Sequence, residues 1–98
     1  MQLEREEWGG EVYEYASLGK YVVRAVGVCG GRPTFKYSRI EVAGALQRVA
    51  AGEGLDSIVT GYRGHVTREA MQEAIDLAVR HFIGSLSDPF PEHATTAI

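Results

Sequence analysis

Cysteine is nearly missing from this chain. Cys29 is the only one in 98 residues, so no internal disulfide can staple the fold, as expected of a protein from a reducing compartment. No apolar run is long enough to cross a bilayer. The first residues, with Glu4, Glu6 and Glu7, lack the basic start and apolar stretch of a secretory leader. These absences predict a cytoplasmic protein with no membrane contact. Catalytic constellations are missing too. Cys29 has no nearby histidine and no second cysteine in a CxxC spacing, and reads as a small hydrophobe rather than a nucleophile. His65, His81 and His93 are too scattered to bind a metal. There is no GxGxxG, and Gly30-Gly31-Arg32-Pro33 lacks the Gly-Lys-Ser/Thr ending of a phosphate loop. The chain is expected to be no enzyme, with no metal and no cofactor.

What is present is one domain's worth of sequence, with 45% apolar and 23% charged residues and a net charge of -3. The charge is unevenly placed. Ala16 to Ile40 carries Lys20, Arg24, Arg32, Lys36 and Arg39 with no acid, while the rest is net acidic. A pI near 5.5 excludes bulk attraction to nucleic acid and leaves only a local basic surface.

Residues 1–10 read as an acidic arm, mobile or ordered only through Trp8. In residues 11–40, Val12–Tyr15 and Tyr21–Val26 are aromatic and β-branched and flank Ser17-Leu18-Gly19-Lys20. They predict a β-hairpin, followed by a glycine-rich loop. In residues 41–84 the period changes. Val42, Ala45, Leu46 and Val49 mark one helix face, stopped by Gly52. Leu55–Val59 reads as a short second helix. Thr67 is a plausible N-cap for a third, with Val66 placed to staple Met71. Ala70, Met71, Ala74, Ile75, Ala78, Val79 and Phe82 form its stripe, and Gly84 is expected to end it. Residues 85–98 hold Pro89 and Pro91 with no periodicity and predict a flexible tail. The expected fold is α+β, mainly α: an N-terminal β-hairpin on three helices, the last two joined by a tight turn as in a helix-turn-helix.

The string Gly31-x-Pro33-x-Phe35-x-x-Ser38-Arg39-Ile40-x-Val42, then Leu46, Ala50-Ala51-Gly52-Glu53, Ile58, Tyr62 and Thr67, resembles the bacterial domain-of-unknown-function family numbered 433. Tyr37-Ser38 stands where that family's pattern has Gly-Thr, and Gly54 where it has a small hydroxyl residue. The resemblance covers about Tyr13 to Phe82. It implies a homeodomain-like helical core and the role of an antitoxin, which binds a nuclease-like toxin of the PIN type and its own promoter DNA.

Residue chemistry alone ranks the candidate surfaces. DNA contacts are expected from the basic hairpin and loop (Arg24, Arg32, Lys36, Arg39), from Arg63 and Arg68 at the turn, and from Gln72. Glu69, Glu73 and Asp76 share the third helix's outer face, and carboxylates there repel phosphate. That favours the competing reading, a protein-interaction module without DNA binding. Arg39 is also expected to brace its loop, through Glu53 or Asp56 or through loop carbonyls. A lone hairpin is marginal in water, so a homodimer is expected through Tyr13, Tyr15, Val22 and Val26. Trp8 and Phe90 are the candidate contacts to a partner protein.

Overall fold

The structure, a computed structural model, describes residues 2–86. Of the predicted tail, residues 85–98, Ser85 belongs to the last helix, and Phe90 with the rest beyond Leu86 lies outside the described residues. The chain opens with four antiparallel strands in sequence order: β1 Glu4–Trp8, β2 Glu11–Ser17, β3 Val22–Ala25 and β4 Thr34–Phe35. Three helices follow: α1 Val42–Ala50, α2 Leu55–Gly61 and α3 Arg68–Ser85.

The predicted hairpin exists as β2 and β3, but it is the middle of a four-stranded sheet, so the two-stranded expectation is wrong. The acidic arm supplies the first extra strand. Gly9 and Gly10, both at positive φ (63° and 82°), make the two-residue turn whose twist suits a hairpin, and they register Trp8 against Glu11 and Glu4 against Tyr15. The second extra strand is the two-residue Thr34–Phe35, paired with Val22 and Val23.

β3 is covered on both faces. Val22 turns toward the helices, where it joins Phe35, Val42, Ala45, Ile58, Val66, Ala70, Met71 and Ala74 in the main core. Val23 and Ala25 face the other way and pack with Tyr15 under Tyr13 and Val28. The helix boundaries follow local chemistry. Gly52, at φ 92°, closes α1 through its N–H to the Val49 carbonyl (3.0 Å). Thr67 Oγ1 caps α3 by accepting from the Ala70 N–H (3.1 Å), and Val66 and Met71 are buried in one cluster as the staple requires. α3 does not stop at Gly84 but includes it and Ser85.

The side chain that joins α3 to the sheet is Glu73. Its carboxylate accepts from the backbone N–H groups of Lys20, Tyr21 and Val22 at 2.9, 2.7 and 3.0 Å. Gly19 lies against it so closely that a Cβ there would come within 2.5 Å of Glu73 Oε1.

Candidate functional site

Two surfaces of this framework can do something chemical. The first is a groove of about 460 Å³ between the β1–β2 hairpin and the loops after β3 and β4. Trp8, Tyr13 and Tyr37 line it. Trp8 stacks on Tyr37 with ring centroids 5.5 Å apart, and Tyr13 lies 5.3 Å from Tyr37. Glu11, Glu14 and Val12 form the β2 wall, while Val26, Gly27, Ser38 and Arg39 form the loop wall. Tyr37 holds φ at 64°, the left-handed region that glycine enters freely. Three contacts hold it there: the Trp8 ring, its own N–H donating to Tyr13 Oη (3.1 Å), and its hydroxyl donating to Glu6.

Glu6 is the fastening of this corner. Its carboxylate accepts from the Tyr15 and Tyr37 hydroxyls and pairs with Lys36 Nζ at 3.1 Å. Those donors, Tyr15 first, pull its carboxyl down to about 2 from 4.5. The same contacts push the Tyr15 and Tyr37 phenols up, chiefly through Glu6. The Lys36 ammonium lies over both rings, 4.6 Å from Tyr15 and 5.0 Å from Tyr37, and is held charged, chiefly by the Tyr15 hydroxyl. Every shift deepens the ordinary protonation state at neutral pH, so this cluster holds charge in place rather than passing protons.

The second surface is on α3. Ala70, Met71 and Ala74 face the core. Ile75, Val79, Phe82 and Leu86 recur at steps of four, three and four, and lie roughly 100° around the helix from that face. Val79, Phe82, Ile83 and Leu86 are 49%, 63%, 62% and 66% exposed.

The expected DNA contacts are mostly committed within the chain. Arg32 pairs with Glu41 (2.7 Å), Lys36 with Glu6, and Arg68 with Asp56. Arg24 Nε donates to the Gly31 carbonyl (2.7 Å). Among the described residues, Arg39 and Arg63 have no carboxylate partner. The expected brace from Arg39 to Glu53 or Asp56 is absent because both acids are taken. Arg48 grips Glu53 with two bonds (2.8 and 2.7 Å), Ser57 adds a third (2.8 Å), and Arg68 holds Asp56. Ser38 braces the loop instead, donating to the Phe35 carbonyl (2.7 Å) and accepting from the Ile40 N–H (3.1 Å). Gln72 is exposed on α3 beside Glu69 and Asp76.

The expected dimer residues are divided. Tyr15 and Val22 are buried in the chain's own two clusters and offer no surface to a second copy. Tyr13 is half-buried in the groove, and Val26 is exposed on its rim. The premise of a lone hairpin in need of a partner also falls, because the sheet already packs on the helices. Sequence reasoning missed the roles of Glu6, which it placed in a mobile arm, and of Glu73, which it placed on the outer face of the third helix although its carboxylate binds the Lys20–Val22 backbone. The Trp-Gly-Gly-Glu turn was the one local signal that could have put Glu6 on a strand facing Tyr13.

Residues 22–78 match the model of a family described as a protein of unknown function, DUF433. The chain belongs to the DUF433 family. Comparison with curated proteins and with solved structures gives no match. The DUF433 segment runs from Val22 in β3 to Ala78 in α3 and contains the main core, Glu73 and the Arg48–Glu53 brace. Trp8, Glu11–Glu14 and the exposed end of α3 lie outside it. Both candidate surfaces are therefore built partly or wholly from what this chain adds to the family segment.

Proposed function

We propose that this DUF433 protein is a regulator of the antitoxin kind whose first activity is to bind a partner protein, a nuclease-type toxin. The observation that carries the reading is the second apolar stripe of α3. Of Ile75, Val79, Phe82 and Leu86 at helical spacing, the last three lie on the surface, away from the core they would otherwise serve, and Ile75 is half-buried. The four–three–four spacing is that of a seam which packs against another helix. Exposed apolar patches of this kind mark interaction sites in soluble proteins. The test is co-expression with a PIN-type nuclease toxin. The wild-type chain is expected to restore growth and to co-purify with it. Phe82→Asp is expected to fold and lose both, because Phe82 is mostly exposed. Co-purification that Phe82→Asp leaves unchanged would sink this surface.

A second reading adds promoter DNA. It is supported by the turn between the short α2 and the N-terminus of α3, where Arg63 sits at φ 55°, and by Arg24, Arg39 and Arg63 being free of carboxylate partners among the described residues. Against it, Arg32, Lys36 and Arg68 are spent on internal acids, and Glu69 sits in the first turn of α3. Anisotropy on the upstream duplex at two salt concentrations checks it. Affinity that falls steeply with salt is the expected sign of phosphate contacts.

A further inference from the structure

The aromatic groove can be read independently of the antitoxin proposal. Its three aromatic residues touch one another as a continuous ring surface, and Trp8 keeps 52% of its surface exposed while stacked on Tyr37. On the loop wall Arg39 has no carboxylate partner among the described residues. On the β2 wall Glu14 is already paired with Arg5 (2.9 Å), leaving Glu11 as that wall's other acid.

Grooves floored by aromatic rings bind extended, proline-containing segments. The polyproline II backbone is already formed, and its flat proline faces lie against rings at little entropic cost. This chain carries such a segment: Asp88-Pro89-Phe90-Pro91-Glu92. Two prolines flank one aromatic, and a carboxylate stands on either side of them, opposite in sign to Arg39.

We propose that the aromatic groove binds the Asp88–Glu92 segment of a second copy of this chain, with Phe90 and its prolines on the Trp8, Tyr13 and Tyr37 rings and a carboxylate on Arg39. The second copy follows from the course of α3. The helix starts beside Tyr37, where Thr67 and Ala70 share a cleft with Lys36 and Tyr37. It passes the Gly19–Val22 turn at Glu73, at the end of β2 away from the groove. From there it continues about 20 Å to Leu86 at 1.5 Å per residue. Phe90 follows four residues after Leu86, at most about 14 Å of chain, which is shorter than those roughly 20 Å, so Phe90 cannot span the distance back to its own groove. Reciprocal exchange between two copies closes a two-fold dimer.

Trp8 is the only tryptophan and reports the groove directly. The experiment titrates a synthetic peptide of residues 86–94 onto full-length Phe90→Ala while following Trp8 emission. A saturable change is expected, and it should weaken about tenfold or more when Arg39→Glu is added to the protein or when the peptide's Pro-Phe-Pro is replaced by serines. In light scattering, the wild-type chain is expected to be a dimer at concentrations where Phe90→Ala is a monomer. Trp8 emission that the peptide does not move, equal binding of the serine peptide, or equal masses for the two proteins would each overturn the proposal.

Discussion

At the scale of the residue, most of the chain's charge is used for internal bracing. Glu73 shows this best. From its neighbours in sequence it looks like one more acid on a solvated helix face. In the fold it satisfies three backbone N–H groups fifty residues away, at a turn that Gly19 leaves open for it. Glu73→Ala should therefore cost about 2–3 kcal/mol in urea unfolding, since several charge-assisted bonds are lost together and the part-buried Tyr21 and Val22 N–H groups are left without their acceptor. A cost within experimental error would mean that water replaces the carboxylate. Thr34 predicts the opposite direction. It is fully buried, and its Oγ1 has no hydrogen-bond partner among the described residues. Thr34→Val keeps the shape and removes the orphan hydroxyl, so it should stabilise the protein by about 1 kcal/mol.

At the scale of the element, the helices and the central β2–β3 hairpin were legible in sequence and the sheet's two outer strands were not. Val42, Ala45 and Leu46 announce α1, and Thr67 with Val66 and Met71 announces the start of α3, because caps and 3.6-residue spacing are local properties. β1 is Glu-Arg-Glu-Glu-Trp, poor in the residues that favour strands, and it exists because the Gly9–Gly10 turn folds it onto β2. β4 is two residues long and is defined by Pro33 and Ser38 around it as much as by its own sequence. Glu6 fastens β1 to the loop after β4 only once both strands are placed, so no sequence spacing shows it. The fastening has a pH consequence. Glu6 and Glu53 both have carboxyls held at about 2 in the fold against 4.5 when free, so the unfolded chain takes up protons first. Their contribution to stability is complete above about pH 4.5 and is lost as pH falls toward 2. Stability should drop through that window. Trp8 emission, which senses β1, should change within it for the wild-type chain and show a smaller acid step in Glu6→Gln, which cannot be protonated.

At the scale of the whole molecule, the family segment is a scaffold that presents surfaces at its two ends. The core of β3, β4 and the helices is closed and well packed. The groove at one end and the apolar end of α3 at the other draw on residues outside the matched segment. This explains why candidate site residues were harder to read than helices. The cations that looked free in sequence are paired across elements by Glu6, Glu41 and Asp56, which are near them only after folding. The exposed stripe of α3 was legible as apolar periodicity, but a single stripe of sequence could not show that its two halves face different ways. Introducing a charge on that stripe, as in Phe82→Asp, should leave the thermal midpoint nearly unchanged, because Phe82 and Leu86 are mostly exposed and contribute little to the core.

The most direct measurement is a titration of the labelled chain with a purified PIN-type nuclease, the partner class proposed above, read by anisotropy for the wild type and for Phe82→Asp. Saturable binding by the wild type, weakened at least about tenfold in Phe82→Asp with an unchanged circular dichroism spectrum, is the predicted result. Failure of the wild type to bind, or equal binding by the two proteins, would contradict the account of α3 as the partner-binding surface.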